Sequence, residues 1–482
     1  MLSGEHAGGA LPHEVTTFDG EEAAPGAVSL RRALGPFALT MIGVSSTIGV
    51  GIFVISGVTA ARNTGPSITL AFLLASLAVL IVAICYCELA AMMPIAGSSY
   101  SYIAASLGRF PAWLVAWAML LEYLISVSTV AVGWAGYFTG LFGQAGIPLP
   151  DRLTQAPISL SENLDFAWTG AWGNFPSAIW TLVMTAILAI GIRESAAFNN
   201  FVAVLKIGVV LAVVAVGSCF VDAANWHPFL PANSGDWGHF GVSGLMRGTS
   251  LAVWVYIGFE TISTCAQEAR NPKRDLAIGM LATLAICTAL YLSVSLVMTG
   301  LAPSATLDVP DPILVALNHL GPTWAWFITA VSIGILIGTS STLLATLYGQ
   351  IRIFFIMARD GQMPRKFAKI GRRSRTPVVA TWATGLICAA IGFLLPLDVL
   401  ADLVSMGTLL TFAMVCAAVV ILRRQQPDRE RPFRIPWSPL LPGLGVVVCL
   451  GLMATMPPRS WVQLLGWMLL GALLYRRRTK PV

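Results

Sequence analysis

Two apolar stretches far apart in the chain are each interrupted near the middle by glycine. The first carries Gly43, Ser45, Ser46, Thr47, Gly49, Val50 and Gly51, and the second carries Tyr256, Ile257, Gly258, Phe259 and Glu260. Glycine interleaved with hydroxyl residues has weak helix propensity, and a helix that unwinds there frees backbone N–H groups. At the start of a half-helix, such groups and the dipole behind them make a seat for an anion such as an amino-acid carboxylate. The bland alternative is close helix packing through small residues, and a second break on a helix of opposite direction favours the site. At that second break, unwound carbonyls suit an ammonium. Glu260 there either binds a cationic side chain or ties the turn to a neighbour such as Thr261 or Ser263.

Two ionisable residues lie deep inside other apolar stretches. Lys206 has apolar neighbours on every helical face and sits about 12 Å from the expected start of its helix, farther than a snorkelling side chain reaches. It either snorkels part of the way or, its charged form being disfavoured by a low-dielectric pocket, exchanges protons. Glu122 falls about 15 Å into its helix, near a membrane midplane. It either works there or stays protonated in a hydrogen bond within the bundle. Gly338, Thr339, Ser340, Ser341 and Thr342 spread hydroxyls over all faces of one helix, so Ser340 or Ser341 is expected to meet the first break or Lys206, with the Gly43 carbonyl as a further contact. Glu88, Arg247 and Arg352 fall near helix ends, where solvent or headgroups reach, and read as boundary or gate contacts.

The elements that position these groups are membrane helices. Of 482 residues, 56% are apolar and 11% charged, with 45 glycines and a mean hydropathy of +0.77, whereas soluble domains carry roughly 25% charge. Apolar runs predict twelve transmembrane segments, at 36–60, 66–92, 112–141, 176–192, 198–221, 242–266, 276–301, 324–357, 378–395, 399–422, 440–456 and 461–475. The two longest weakly apolar stretches, the first thirty or so residues and 142–175, are shorter than the roughly 50 residues of a small domain, so no catalytic head fits. Residues 1–30 read as a disordered cytoplasmic tail without a signal peptide.

Most of the 29 Lys and Arg residues fall on one side of this topology, while Arg62, Arg152, Arg247 and Arg459 face the other. The positive-inside rule then places both termini in the cytoplasm. Because the basic excess of +6 sits between apolar runs, it marks topology and not nucleic-acid binding. The eight cysteines and five histidines show no ligand spacing, so no metal or cofactor is expected, and the cysteines read as reduced packing residues. The chain also lacks paired acidic residues at midplane and a Gly-x-Ser-x-Gly nucleophile motif, which argues against an enzyme. The sequence sets no oligomeric state.

From about Leu30 to Tyr475 the chain resembles the cationic amino acid transporter branch of the amino acid/polyamine/organocation superfamily. Gly49-Val50-Gly51-Ile52-Phe53 is similar to the glycine-x-glycine break of that family's first helix. Cys85-Tyr86-Cys87-Glu88 with residues 94–102 resembles its second helix and the start of its third, and Leu121-Glu122-Tyr123 its acidic position in helix three. Tyr256 to Glu260, continuing through Glu268 to Asn271-Pro272-Lys273-Arg274-Asp275, resembles its sixth helix, and Tyr348-Gly349-Gln350 through Ala358-Arg359-Asp360-Gly361 the end of its eighth.

The resemblance implies an all-α leucine-transporter fold. Two inverted five-helix repeats (31–221 and 242–422) would be followed by two C-terminal helices (439–476) and a short tail (477–482). Substrate would lie between segments one and six, with its carboxylate on Thr47, Gly49, Val50 and Gly51 and its amine on Tyr256, Ile257 and Gly258, beside Glu260. Lys206 would stand where sodium sits in sodium-coupled relatives, which implies proton coupling, with Glu122 as the second candidate. Val50 replaces the usual small or hydroxyl residue, leaving the carboxylate to the backbone, and Ala277 stands where a proline is common. The implied function is a permease of L-amino acids, cationic or small neutral, in the cell membrane, working by proton symport and alternating access. The same fold admits an amino acid/polyamine exchanger.

Overall fold

The computed structural model describes residues 34–478 apart from 94–97, 192–195, 234, 267, 360, 362 and 372–375. The predicted tail 1–30, residues 479–482, the 94–97 part of the second-helix motif, and Arg31, Arg32, Arg193, Arg372, Arg373 and Arg375 lie outside the described residues. Each of the twelve predicted segments is helical. Segment one is split: Pro36–Thr47 is α-helical, and after a break the chain winds through Gly51–Ile55, Ser56–Thr59 and Ala60–Thr64. It turns at Gly65, whose φ of 62° suits glycine, into Ile68–Met92.

The helices Arg109–Gln144, Phe175–Ile190 and Ala196–Gly217 follow. Segment six is split into Gly241–Val255 and Thr261–Thr264, and Pro272–Leu301, Ala325–Arg359, Val378–Leu394, Leu397–Gln425, Leu440–Ala454 and Pro458–Arg478 complete the chain. Local signals set several ends. Proline opens Pro36–Thr47 and Pro272–Leu301, where its missing N–H costs nothing. Asn174 accepts from the Ser177 N–H and Gly191 adopts the left-handed conformation, so Phe175–Ile190 is capped at both ends.

Among the described residues, six runs are long and apolar enough to cross a membrane: Gly51–Met92, Phe110–Gln144, Asn200–Phe220, Pro272–Leu301, Pro322–Arg359 and Leu397–Gln425. Phe175–Ile190 and Val378–Leu394 are apolar but shorter, and Leu440–Ala454 with Pro458–Tyr475 bends by 117°. The breaks leave Pro36–Thr47 and Gly241–Val255 at 12 and 15 residues, below the roughly 20 that a straight span needs. The protein is thus a mostly helical, multi-pass membrane protein. One element goes beyond the sequence reading. Within the 142–175 connection, Ile158–Leu160 pairs antiparallel with Phe166–Trp168, in strands too short to show alternation.

Segment one packs on segments five and seven, segment two on six and seven, and segment three on eight and ten. Tyr86, Tyr102, Tyr256, Tyr291, Phe72, Phe259 and Phe412 are fully buried where these helices meet. Two residues read as boundary or gate contacts within reach of solvent or headgroups are instead enclosed: Glu88 and Arg247 are 1% and 4% exposed. Each is drawn in by an ion pair. Arg423 donates Nε–H to Glu88 Oε1 at 2.8 Å, the Ile435 N–H donates to Oε2 at 2.8 Å, and Arg431 lies 3.5 Å away. Glu88→Ala leaves two guanidiniums uncompensated and should cost about 3–5 kcal/mol, read as a fall in Tm by thermal shift that exceeds the fall in Arg423→Lys.

Candidate functional site

The two breaks meet main chain to main chain. Gly258 has φ 122°, and a Cβ there would lie 2.6 Å from the Thr47 nitrogen and 2.7 Å from the Ser46 carbonyl carbon. A Cβ on Gly51 would lie 2.7 Å from Val255 Cγ1 and 3.0 Å from its Cα. Gly51 therefore serves close approach of segment six, so a larger residue there would wedge the two segments apart as well as crowd the site. Tyr291, the only aromatic residue of Pro272–Leu301, shares its O–H between the Thr47 carbonyl at 2.9 Å and the Val255 carbonyl at 3.2 Å. One phenol thus holds the last carbonyl of each half-helix that ends at the breaks. Sequence reasoning missed it, and a lone aromatic in an aliphatic segment was its only signal.

Unwinding leaves polar groups without partners. Among the described residues, the N–H groups of Gly49, Val50, Gly51 and Ile52 make no hydrogen bond, and the carbonyls of Tyr256 and Ile257 accept none. Buried main-chain groups left this way are costly unless something binds them. The Val50 side chain contributes nothing to the opening. A Cβ on Gly133 of segment three would lie 2.5 Å from Val50 Cγ1, so Val50 points away and offers only its N–H. The Thr47 hydroxyl is committed to the Gly43 carbonyl at 2.8 Å.

Glu260 folds back on its own turn. Its Oε2 accepts the Gly258 N–H at 2.9 Å, the Thr261 hydroxyl donates to the Gly258 carbonyl at 2.6 Å and the Ser263 hydroxyl to the Glu260 carbonyl at 2.7 Å. Of the two roles the sequence left open, this geometry is that of a brace.

Lys206, 1% exposed, spans segments one and eight. Its Nζ donates to the Ser45 carbonyl at 2.6 Å and to Thr342 Oγ1 at 2.8 Å, and the Thr342 hydroxyl in turn reaches the Ile48 carbonyl at 3.3 Å. Gly338 makes room, because a Cβ there would lie 3.0 Å from Lys206 Cγ. The sequence pointed to Gly43, Ser340 and Ser341. The structure brings Ser45 and Thr342 to the ammonium, since helical rotation carries Ser340 towards Trp180, whose Nε1–H donates to it at 3.2 Å, while Ser341 is buried. Glu122 is buried too, accepting from Thr408 at 3.4 Å and Thr411 at 3.1 Å of segment ten. Six of the eight cysteines are buried and unpaired, but Cys219 is exposed and Cys265 partly so.

The chain is similar to known transport proteins. A family model described as amino acid permease matches residues 34–472. A methylthioribose transporter of Bacillus subtilis strain 168 is 39% identical over 93% of this chain and 93% of its own length. The branched-chain amino acid permease BcaP of the same organism is 39% identical over 94% of each. The vacuolar cationic amino acid transporter 2 of Arabidopsis thaliana is 37% identical over 83% of this chain and 61% of its own length. The chain belongs to the amino acid permease family, and it is a transporter of amino acids, not an enzyme.

Proposed function

We propose that the chain carries L-amino acids across the cell membrane by alternating access, in symport with protons, and holds the substrate's backbone with its own. The observation that carries this is the pairing of unpartnered N–H groups at Gly49 to Ile52 with unpartnered carbonyls at Tyr256 and Ile257. An α-amino acid presents a carboxylate and an ammonium one carbon apart, which complements those two sets. The inner ends of the helices, rich in Arg and Lys, face the cytoplasm with both termini, and the Arg62, Arg247 and Arg459 end faces out.

Two inverted five-helix repeats, within 31–221 and 242–422, plus two final helices account for the packing. Exchanging each segment with the one five places on turns the contact of segments two and six into that of seven and one. The contact of three and ten becomes that of eight and five, and all four are present. The Lys206 ammonium is the coupling group: charged, it holds the inner half of segment one against segments five and eight. Because Glu260 braces the turn, side-chain preference for small neutral, branched or cationic substrates falls to the cavity walls. Glu260→Gln should therefore weaken alanine, leucine and lysine alike, about tenfold for a charge-assisted bond worth roughly 1.5 kcal/mol, and a loss confined to lysine would restore the ligand role.

The deciding experiment is uptake of labelled L-amino acids by proteoliposomes. Accumulation in empty vesicles driven by acid outside supports symport. Uptake only into vesicles preloaded with amino acid or polyamine supports the exchanger.

A further inference from the structure

Above the breaks, on the outer side, arginines and carboxylates from six parts of the chain converge. Arg62 pairs with Asp308 at 2.8 Å and Asp398 at 3.4 Å, Arg459 with Asp402 at 2.7 Å and Asp398 at 3.1 Å, and Arg247 with Glu162 at 2.6 Å and Asp402 at 3.4 Å. All of these but Asp308 line a cavity of about 30 Å³ whose apolar walls include Ile55, Val58 and Leu251. That is room for water but not for an amino acid. The cavity lies between the outer halves of segments one and six, the two half-helices that lead down to the breaks. From Arg247 to Val255 is about 12 Å along one helix.

Glu162 alone of these residues belongs to the outer hairpin. It sits between the two short strands of the outer hairpin, its side chain is 33% exposed, and the Arg247 side chain that it covers is 5% exposed. The hairpin is held down next to it, where Arg459 donates Nη1–H to the Leu160 carbonyl. His239 reaches the same Glu162 oxygen at 3.5 Å. If the hairpin lifts, Arg247 keeps only the Asp402 Oδ2 at 3.4 Å, an oxygen that Arg459 already holds at 2.7 and 3.1 Å. Arg247 Nε makes no hydrogen bond among the described residues even with the hairpin down. A buried guanidinium left in that position requires an anion, and a guanidinium matches a carboxylate in shape as well as charge.

We propose that Arg247 is an entry site for the carboxylate of an incoming amino acid, and that Glu162 is the chain's own carboxylate occupying that seat while the outer path is shut. The inference rests on amino-acid transport as read above. Substrate enters by exchange of one carboxylate for another, and the hairpin returns once the substrate has moved inward to the breaks.

The test uses the full chain in liposomes, with Thr59→Cys as reporter, since Thr59 lines the cavity and is 2% exposed. The background is Cys219→Ser, which removes an exposed thiol. Labelling by a membrane-impermeant maleimide should be at least about fivefold faster in Glu162→Gln than with Glu162 present, as expected when a charged partner is lost. In Glu162→Gln, L-alanine, L-leucine and L-lysine should slow labelling, whereas ethylamine, isopentylamine and cadaverine, which lack the carboxylate, should not. Arg247→Lys, which keeps charge but loses the fork, should need several-fold more amino acid for the same protection. Unchanged labelling in Glu162→Gln, or equal protection by the amines, overturns the entry site. Wild-type uptake without carboxylate protection sinks this inference alone. Protection without any uptake counts against amino-acid transport and leaves the entry site standing.

Discussion

Gly258→Ala should abolish transport, although it adds a single methyl group. The backbone there, at φ 122°, is a conformation that side chains avoid, and the new carbon would lie 2.6 Å from the Thr47 nitrogen. Main chain cannot step aside as a flexible side chain can, so segments one and six must separate or the turn must refold. A cost of about 3 kcal/mol corresponds to a roughly hundredfold loss of the intact site. Uptake in proteoliposomes and Tm in detergent measure the two halves of the effect. Gly451→Ala, in open space within a helix, should leave both unchanged. Normal uptake by Gly258→Ala would mean that the breaks do not meet as described.

Lys206→Met should slow uptake by at least tenfold and flatten its dependence on outside acidity. Methionine fills a similar volume but donates nothing to the Ser45 carbonyl or to Thr342, and each charge-assisted bond is worth about 1.5–3 kcal/mol. On the proposed coupling the sign follows from the contacts: acid would keep the ammonium charged and the inner half of segment one clamped, and loss of the proton would release it, so each protonation state would favour its own conformation. Thr342→Val removes the Thr342 contact and keeps that to the Ser45 carbonyl, and should give an intermediate rate with pH dependence retained. An unchanged pH profile in Lys206→Met, or sodium replacing the proton gradient in the wild type, would move the coupling role to Glu122.

The twelve helical segments and both breaks were legible in the chain because a bilayer enforces long apolar runs, and glycine in mid-run is conspicuous against them. The partners of Lys206 were not, since four consecutive hydroxyls leave rotation about the helix undetermined, and the answer turned on Thr342 and not Ser340. The burial of Glu88 and Arg247 was not legible for a related reason. Position near a helix end suggests water, but Arg423 is 335 residues from Glu88 in sequence and Asp402 is 155 from Arg247, and nothing local announces such pairs. Glu260 could be narrowed to two roles, and the 2.9 Å bond from the Gly258 N–H, which favours the brace, has no signal in the sequence.

The opening between the breaks has a consequence for how such a protein diversifies. The groups offered there belong to peptide units, which every residue type supplies, so if they hold the substrate as proposed, side-chain substitutions leave them in place and the surrounding walls set which cargo fits. Val50, turned towards Gly133, is a case in point: its side chain can drift with the neighbouring helix while its N–H stays in register. A lineage built this way can exchange one cargo for another by redrawing the walls, without first losing its grip on what all its cargoes share.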